Sequence, residues 1–121
     1  MIAGVGTDLC LISRMKKAVR SDHFVRRVFS REEIDYANSR GEPERHYASS
    51  FAAKEAFAKA SGLGLFGMGT DMSWVRRTDN GPLLIYRDEL KAKLDDMGVN
   101  RCWLSLAHDG DYAMAFVVLE R

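Results

Sequence analysis

The sequence has little of what marks disulfide-rich, zinc-binding or membrane-spanning proteins. It contains two cysteines and two prolines, and no apolar run approaches the ~20 residues of a membrane span. Cys10 and Cys102 fit neither a disulfide framework nor a zinc spacing, and both stand in apolar segments. We therefore expect free thiols, a reducing cytoplasmic setting and no membrane partner. No basic leader follows Met1, so no signal peptide is predicted.

Size and charge predict one folded domain, residues 1–121, with an uneven surface. The chain has 121 residues, of which 46% are hydrophobic and 29% charged, which allows a real core and disfavours disorder. The net charge is +1, but segment 14–31 alone carries +6. This asymmetry indicates an acidic partner, although a solvated helix face would give the same pattern.

Hydrophobic periodicity predicts an α+β fold. The predicted strands are 2–10, 70–78, 83–86, 101–107 and 112–120, and the predicted helices are 12–20, 31–39, 44–61 and 88–97. Strand 112–120 is apolar on both faces, so we expect it in the centre of a sheet. The expected architecture is an antiparallel-rich sheet packed on the long Ala-rich helix 44–61.

The Ala-rich helix carries an unusual set of charges. Between Tyr47 and Thr70 the only charged residues are Lys54, Glu55 and Lys59. A helix that is apolar nearly all round is usually buried, and charges on it must be paired, hydrogen-bonded or bound to a metal. The segment therefore predicts a site.

Asp8 and Glu55 are the candidate metal ligands. Each carboxylate stands in an apolar element, and two such acids brought together would favour a hard cation such as Mg²⁺, which takes one or two carboxylates. The alternative is that Asp8 caps the next helix and Glu55 pairs with Lys59 one turn away.

Lys59 and His108 are the candidate phosphate contacts. Lys59 precedes a glycine-rich stretch, 61–69, whose backbone N–H groups can hold phosphate, and His108 stands beside a tight turn. A plain helix end and a structural histidine are the alternatives.

Together these segments resemble the holo-acyl-carrier-protein synthases, the small bacterial 4′-phosphopantetheinyl transferases. The matches follow the family's order along nearly the whole chain: Gly4–Leu9 (GVGTDL), Arg14, Phe29–Glu33 (FSREE), Phe51–Ala56 (FAAKEA), Lys59–Gly64 (KASGLG), Asn80–Pro82 (NGP) and Ser105–His108 (SLAH). The resemblance implies the family's α+β fold and its homotrimer, with sites between subunits and the Ala-rich helix facing a neighbour.

Two positions depart from the family pattern. Ser50 stands where the family commonly has an arginine immediately before the FAAKEA segment, and Arg45, about one turn earlier, is a candidate replacement. Leu106 and Ala107 precede His108, where the family tends to have a small hydroxyl residue before the histidine.

The resemblance also implies a reaction and roles. Coenzyme A would donate 4′-phosphopantetheine to a serine of an apo acyl carrier protein, in fatty-acid or polyketide synthesis, releasing adenosine 3′,5′-bisphosphate. Asp8 and Glu55 would hold Mg²⁺, Lys59 would contact the diphosphate, and Glu55 or a metal-bound water would be the base. The implied coenzyme contacts are Phe51, Lys59, Gly62, Gly64, Asn80, Gly81, Pro82 and His108, the last near the 3′-phosphate. The carrier would be acidic, and we expect it to dock on Arg14, Lys17 and Arg20, which lie at helical spacing on one face.

Two other functions compete with this one. An acyl-CoA thioesterase-like oligomer would also bind coenzyme A but would not require metal at two carboxylates. A non-enzymatic nucleotide- or nucleic-acid-binding module would use the basic segment 14–31, which lacks the interleaved aromatic residues of common RNA-binding strands. We therefore expect no nucleic acid partner.

Overall fold

The computed structural model describes residues 1–64 and 72–121 of the chain. Its strands are β1 (Ile2–Leu11), β2 (Ser73–Thr78), β3 (Gly81–Tyr86), β4 (Arg101–Asp109) and β5 (Tyr112–Glu120). Its helices are α1 (Ile12–Ala18), α2 (Asp22–Val28), α3 (Arg31–Asn38), α4 (Pro43–Ser61) and α5 (Asp88–Asp96). β5 lies between β1 and β4 in an antiparallel sheet, and β2 pairs with β3 in a separate hairpin. The α+β prediction, with strand 112–120 central, is confirmed.

β1 packs directly on the backbone of α4 through two glycines. A Cβ atom at Gly4 would lie 2.0 Å from the carbonyl oxygen of Ala60, and one at Gly6 would lie 2.0 Å from that of Ala56. Both distances are far below any real contact, so only glycine allows this spacing. Asp8 continues the same face of β1. The open face predicted for the first strand is therefore filled by the helix.

The basic segment contains a helix that the sequence prediction missed. α1 ends at Ala18 rather than at residue 20, and α2 follows with Ser21 as its N-cap, whose hydroxyl accepts from the Phe24 N–H at 3.2 Å. Dense basic residues obscured the short apolar pattern of α2, although the Ser-Asp start was a readable signal. Elsewhere β3 begins at Gly81 instead of residue 83. The start of predicted strand 70–78 and most of the glycine-rich stretch fall on residues 65–71, outside the described residues.

A capping box opens α3. Ser30 Oγ accepts from the Glu33 N–H at 3.1 Å, and Glu33 Oε1 accepts from the Ser30 N–H at 2.9 Å. Glu33 is buried, so the box stands inside the molecule rather than on its surface. This gives the glutamate a second set of neighbours, described below.

The three-stranded sheet has one face on α4 and one face open. The inner face carries buried Ala113, Ala115 and Val117 of β5 against alanines of α4 that are themselves fully buried. The outer face leaves large apolar side chains exposed: Val5, Leu9, Trp103, Tyr112 and Phe116. Among the described helices, none combines the length and apolar content that crossing a bilayer requires.

Candidate functional site

Asp8 and Glu55 lie together at one wall of an open cavity. The cavity, of about 520 Å³, is hereafter the carboxylate groove, and it is lined by Asp8, Leu9, Cys10, Leu11, Arg14, Met15, Ala18, Phe24, Phe51, Glu55 and Tyr112. Burial raises the pKa of Glu55, the nearby Asp8 carboxylate raises it further, and Lys59 partly offsets both. β1 and α4 thus bring two acids close enough to repel each other, as the metal-site hypothesis requires.

Lys59 reaches across to β1 instead of pairing along its own helix. Its ammonium group lies 3.1 Å from Asp8 Oδ1 and donates to the Thr7 carbonyl at 2.9 Å. Asp8 lies within β1, and the N-cap position of α1 is Leu11, so Asp8 does not cap that helix. The alternative of helix cap plus local ion pair is therefore wrong: Asp8 pairs with Lys59 across the two elements, and both Asp8 and Glu55 line the groove.

The donor set fits magnesium. Among residues 1–64 and 72–121 no three histidine, cysteine or carboxylate side chains cluster as a metal cage would require. Two carboxylates beside an open groove are what Mg²⁺ uses when phosphate oxygens and water complete its shell. Asp8 and Glu55 would be the residues that hold it.

Lys54 lies in the protein interior and does not line the groove. Its side chain is 1% exposed, and its ammonium lies 2.9 Å from Glu33 Oε1 and donates to the Val28 carbonyl. The other oxygen of Glu33 accepts from the Val75 N–H at 2.8 Å. One buried ion pair therefore joins the end of α2, the start of α3, α4 and β2. Lys54 therefore pairs with an acid inside the molecule.

The thiols do not provide a nucleophile. Burial raises the pKa of Cys10 to about 11, helped by the Asp8 charge, and burial raises that of Cys102 to about 12. A thiol with such a pKa is protonated at neutral pH and is a poor attacking group. Both cysteines are free, as expected.

Residues assigned to the carrier surface lie beside the groove. Arg14 is exposed at its rim, and Lys17 is exposed one turn later on α1. Arg20 is also exposed but follows the end of α1, so the three side chains do not continue one helical face as expected. Met15, between them on α1, is buried in the core.

His108 belongs to a second, basic cavity. This cavity, hereafter the arginine pocket, measures about 270 Å³ and is lined by Arg45, His46, Ser49, Arg77, Pro82, Leu106, Ala107 and His108. Arg45 Nη1 donates to His108 Nε2 at 2.7 Å, because a guanidinium can only donate. Arg45, considered as a replacement for the arginine absent at Ser50, is thus in direct contact with the predicted histidine. Ser50 itself is buried on α4.

Sequence reasoning missed His46 and Arg77. The His46 ring packs edge-on against Tyr36, 5.2 Å between centroids, and Arg77 and Arg40 lie over the same Tyr36 ring at 4.9 and 4.6 Å. These residues come from separate elements and share no motif. The sequence therefore shows that each is basic but does not predict that they lie together.

The predicted coenzyme contacts divide between two ends of α4. Phe51 lines the carboxylate groove one turn from Glu55, and Gly62 ends the helix in a left-handed conformation with φ of 71°. Pro82 and His108 lie with Arg45 near the start of α4, 17 residues before Gly62, which is about 25 Å along a helix. Asn80, at the β2–β3 turn, is exposed, and Gly64 follows the end of α4. One chain alone therefore does not bring all the predicted contacts together.

Comparison with known proteins defines the class. Residues 4–117 match the sequence profile of the 4′-phosphopantetheinyl transferase superfamily. The chain is 39% identical to the holo-acyl-carrier-protein synthase of Syntrophotalea carbinolica, over 98% of this chain and 96% of the relative. It is also 39% identical to the Geobacter sulfurreducens enzyme of that name, over 100% and 99%. The chain therefore belongs to the 4′-phosphopantetheinyl transferase superfamily.

Solved structures place the fold within one branch of that superfamily. The Neisseria meningitidis holo-acyl-carrier-protein synthase superposes with a TM-score of 0.92 at 34% identity, covering 100% of both chains. The Helicobacter pylori synthase, solved in complex with coenzyme A, gives 0.82 at 27% identity, over 96% and 99%. The resemblance to the holo-acyl-carrier-protein synthases is confirmed, and the chain is an enzyme of phosphopantetheinyl transfer. Neither the thioesterase-like nor the non-enzymatic hypothesis is retained.

Proposed function

We propose that the chain transfers 4′-phosphopantetheine from coenzyme A to a serine of an acidic apo acyl carrier protein in a magnesium-dependent reaction. The observation that carries the proposal is the meeting of Asp8, Glu55 and Lys59 at one groove whose rim is the basic helix α1. The relatives are named for acyl carrier proteins, and one was solved with coenzyme A.

The residues of the groove suit phosphoryl transfer. The serine oxygen forms a bond to the phosphorus on the pantetheine side of the diphosphate. The bond from that phosphorus to the bridging oxygen breaks, and adenosine 3′,5′-bisphosphate leaves with the electron pair. Lys59, 56% exposed, can turn from Asp8 to the diphosphate and stabilise the negative charge that develops there. Asp8 and Glu55 would hold magnesium, which would supply further positive charge to stabilise the diphosphate.

The serine must lose its proton as the bond forms. Asp8 already accepts from Lys59, whereas Glu55 opens onto the groove on the side of Phe51 and Arg14. We therefore assign the acceptor role to Glu55. Arg14, at the rim, is placed to contact the acidic carrier that brings the serine.

We further propose that the working form is a homotrimer with sites between subunits. Two features support it: the exposed apolar outer face of the sheet, and the separation of the coenzyme contacts along α4. The carboxylate groove of one copy and the arginine pocket of another would then hold one coenzyme. The alanines of α4 are buried within their own chain, so the sheet face, and not the Ala-rich helix as expected, is the surface available to a neighbour.

One experiment tests the transfer reaction. The protein is mixed with coenzyme A, Mg²⁺ and several acidic apo carriers, and each carrier is weighed by mass spectrometry. We expect a phosphopantetheine-sized gain that EDTA abolishes and that Mg²⁺ in excess restores. A mass gain insensitive to EDTA would contradict the magnesium dependence. No mass gain on any carrier would contradict the transfer reaction itself. Light scattering of the active protein tests the trimer; an active monomer would contradict it.

A further inference from the structure

Two buried guanidinium nitrogens of residues that line the arginine pocket have no hydrogen-bond partner. Within residues 1–64 and 72–121, the buried atoms Arg45 Nε and Arg77 Nη2 have no hydrogen-bond partner. The nearest carboxylate to Arg45 Nε, that of Glu42, is 3.8 Å away, beyond hydrogen-bond distance. Buried donors left unsatisfied are costly, so their presence around one cavity indicates a site for an anion.

Arg77 is the less expected member of this pair. It stands on β2 and lines the pocket, with its guanidinium over the Tyr36 ring. Burial lowers the pKa of Arg77, and Arg45 and Arg40 lower it further, against the opposing effects of Tyr36 and Glu33. A guanidinium stays charged under such conditions, so Arg77 keeps a positive charge in a place that favours its neutralisation by a ligand.

We propose that Arg77 recognises the 3′-phosphate of the coenzyme in this chain, acting with Arg45 as a two-arginine clamp. The proposal rests on the proposed function, because it takes coenzyme A to be the donor and the pocket to receive its ribose end. Two forks of N–H donors match a phosphate monoester dianion, which offers three terminal oxygens. Ser50 cannot supply such a fork, and Arg77 does so from a different element.

A purely structural role for Arg77 makes a different prediction. If the side chain only packs on Tyr36, its removal weakens the hairpin and affects every ligand alike. If it binds the 3′-phosphate, its removal weakens only ligands that carry this group. The ratio of affinities for coenzyme A and 3′-dephospho-coenzyme A therefore separates the two roles, and it is insensitive to a uniform loss of folded protein.

Calorimetric titration of the full chain with both coenzymes measures this ratio. We expect Arg77→Gln to weaken coenzyme A binding about 10- to 30-fold, as loss of a charged hydrogen bond does, and to leave 3′-dephospho-coenzyme A unchanged. Arg77→Lys keeps the positive charge without the forked N–H donors, so its affinity for coenzyme A should lie between those of the wild-type chain and Arg77→Gln. The matched control is Arg76→Gln, because Arg76 neighbours Arg77 but is exposed and pairs with Glu32 at 3.0 Å. This control should keep the wild-type ratio.

The outcomes distinguish the failure of this proposal from that of the proposed function. If the wild-type chain modifies a carrier from coenzyme A but Arg77→Gln and Arg77→Lys keep its ratio, Arg77 is not the 3′-phosphate contact. A wild-type chain that binds both coenzymes equally would also overturn the proposal. Failure to bind either coenzyme, with no carrier modified, would contradict the transferase itself. Should Arg77→Gln not fold, the ratio for Arg77→Lys decides.

Discussion

The carboxylate groove and the arginine pocket carry opposite charges and are assembled in different ways. The acids of the groove, Asp8 and Glu55, come from two elements, β1 and α4, that touch along their backbones. The basic residues of the pocket come from α4, β2 and β4, and Arg40, beyond the end of α3, lies over the same Tyr36 ring as Arg77. The acids of the groove can be predicted from two short sequence motifs, whereas the residues of the pocket come together only when distant segments have folded.

Glu55→Gln should abolish the chemistry of the groove and leave the pocket intact. The change removes a charge that we assign to metal binding and proton transfer, and we expect transfer to fall about 10²- to 10³-fold or more. Binding of adenosine 3′,5′-bisphosphate and the melting temperature should change little. The measurement is carrier modification over time, with Glu89→Gln, an exposed acid on α5, as the control. Retention of full activity by Glu55→Gln would remove Glu55 from the site.

Substitution of Lys54 should reduce stability, whereas substitution of Lys59 should reduce activity. Lys54→Met leaves the buried Glu33 without its ammonium partner, and we expect a loss of about 3–5 kcal/mol in the free energy of unfolding. Lys59→Met breaks a half-exposed pair, so we expect at most about 1 kcal/mol, together with loss of transfer. Urea unfolding and carrier modification measure the two effects.

The double variant Glu33→Gln with Lys54→Met provides the control for this pair. It removes both buried charges, so it should recover part of the stability that Lys54→Met loses. Equal unfolding free energies for Lys54→Met and Lys59→Met would contradict the distinction between the two lysines.

Arg14→Glu should weaken binding of the carrier without affecting binding of coenzyme A. Arg14 is exposed at the rim of the groove, and reversal of its charge should raise the carrier KM about tenfold and flatten its salt dependence. Lys91→Glu on α5 is an exposed charge reversal away from the basic segment, and it should leave the carrier KM and its salt dependence unchanged. An unaltered KM for Arg14→Glu would place the carrier elsewhere.

The pocket should give a small pH dependence through His46. Burial, together with the charges of Arg45, Arg77, Arg40 and His108, lowers the pKa of His46 from 6.5 to about 4. The unfolded chain therefore takes up this proton more readily, so the stabilising contribution is complete above pH 6.5 and is lost as the pH falls toward 4. Urea unfolding between pH 7 and pH 5 measures the loss, and an NMR titration of the ring measures the pKa.

Two comparisons test that assignment to His46. His46→Gln should reduce the change in unfolding free energy between pH 7 and pH 5, whereas His23→Gln, an exposed residue on α2, should not. Adenosine 3′,5′-bisphosphate should raise the pKa of His46 in the wild-type chain, because the bound anion offsets the neighbouring cations. A pKa of His46 near 6.5 in the folded protein would contradict the burial argument.

Much of the groove could be predicted from the sequence because its chemistry is local. Lys54, Glu55 and Lys59 stand out from an apolar helix, and the alternation of β1 places Asp8 on the same face as Gly4 and Gly6. What each lysine contacts was not predictable. Lys54 and Lys59 lie five residues apart, and that spacing directs one into the core and the other toward β1.

The parts that escaped prediction depend on tertiary contacts or on short elements. α2 is only seven residues long and sits among basic residues that hide its apolar side. Arg77 and His46 carry no motif, and their significance comes from Tyr36, against which both pack. Of the predicted coenzyme contacts, Gly62 and His108 lie at opposite ends of α4, a separation that a linear motif does not reveal.

The two glycines of β1 have a consequence for the proposed metal site that goes beyond packing. Gly4 and Gly6 let the strand lie against the carbonyl oxygens of Ala60 and Ala56, and Asp8 extends from the same strand two residues later. The separation of the two backbones that carry Asp8 and Glu55 is therefore set by main-chain atoms, which cannot adopt another rotamer. A single added methyl group on β1 would move one ligand away from the other while leaving every charged residue in place.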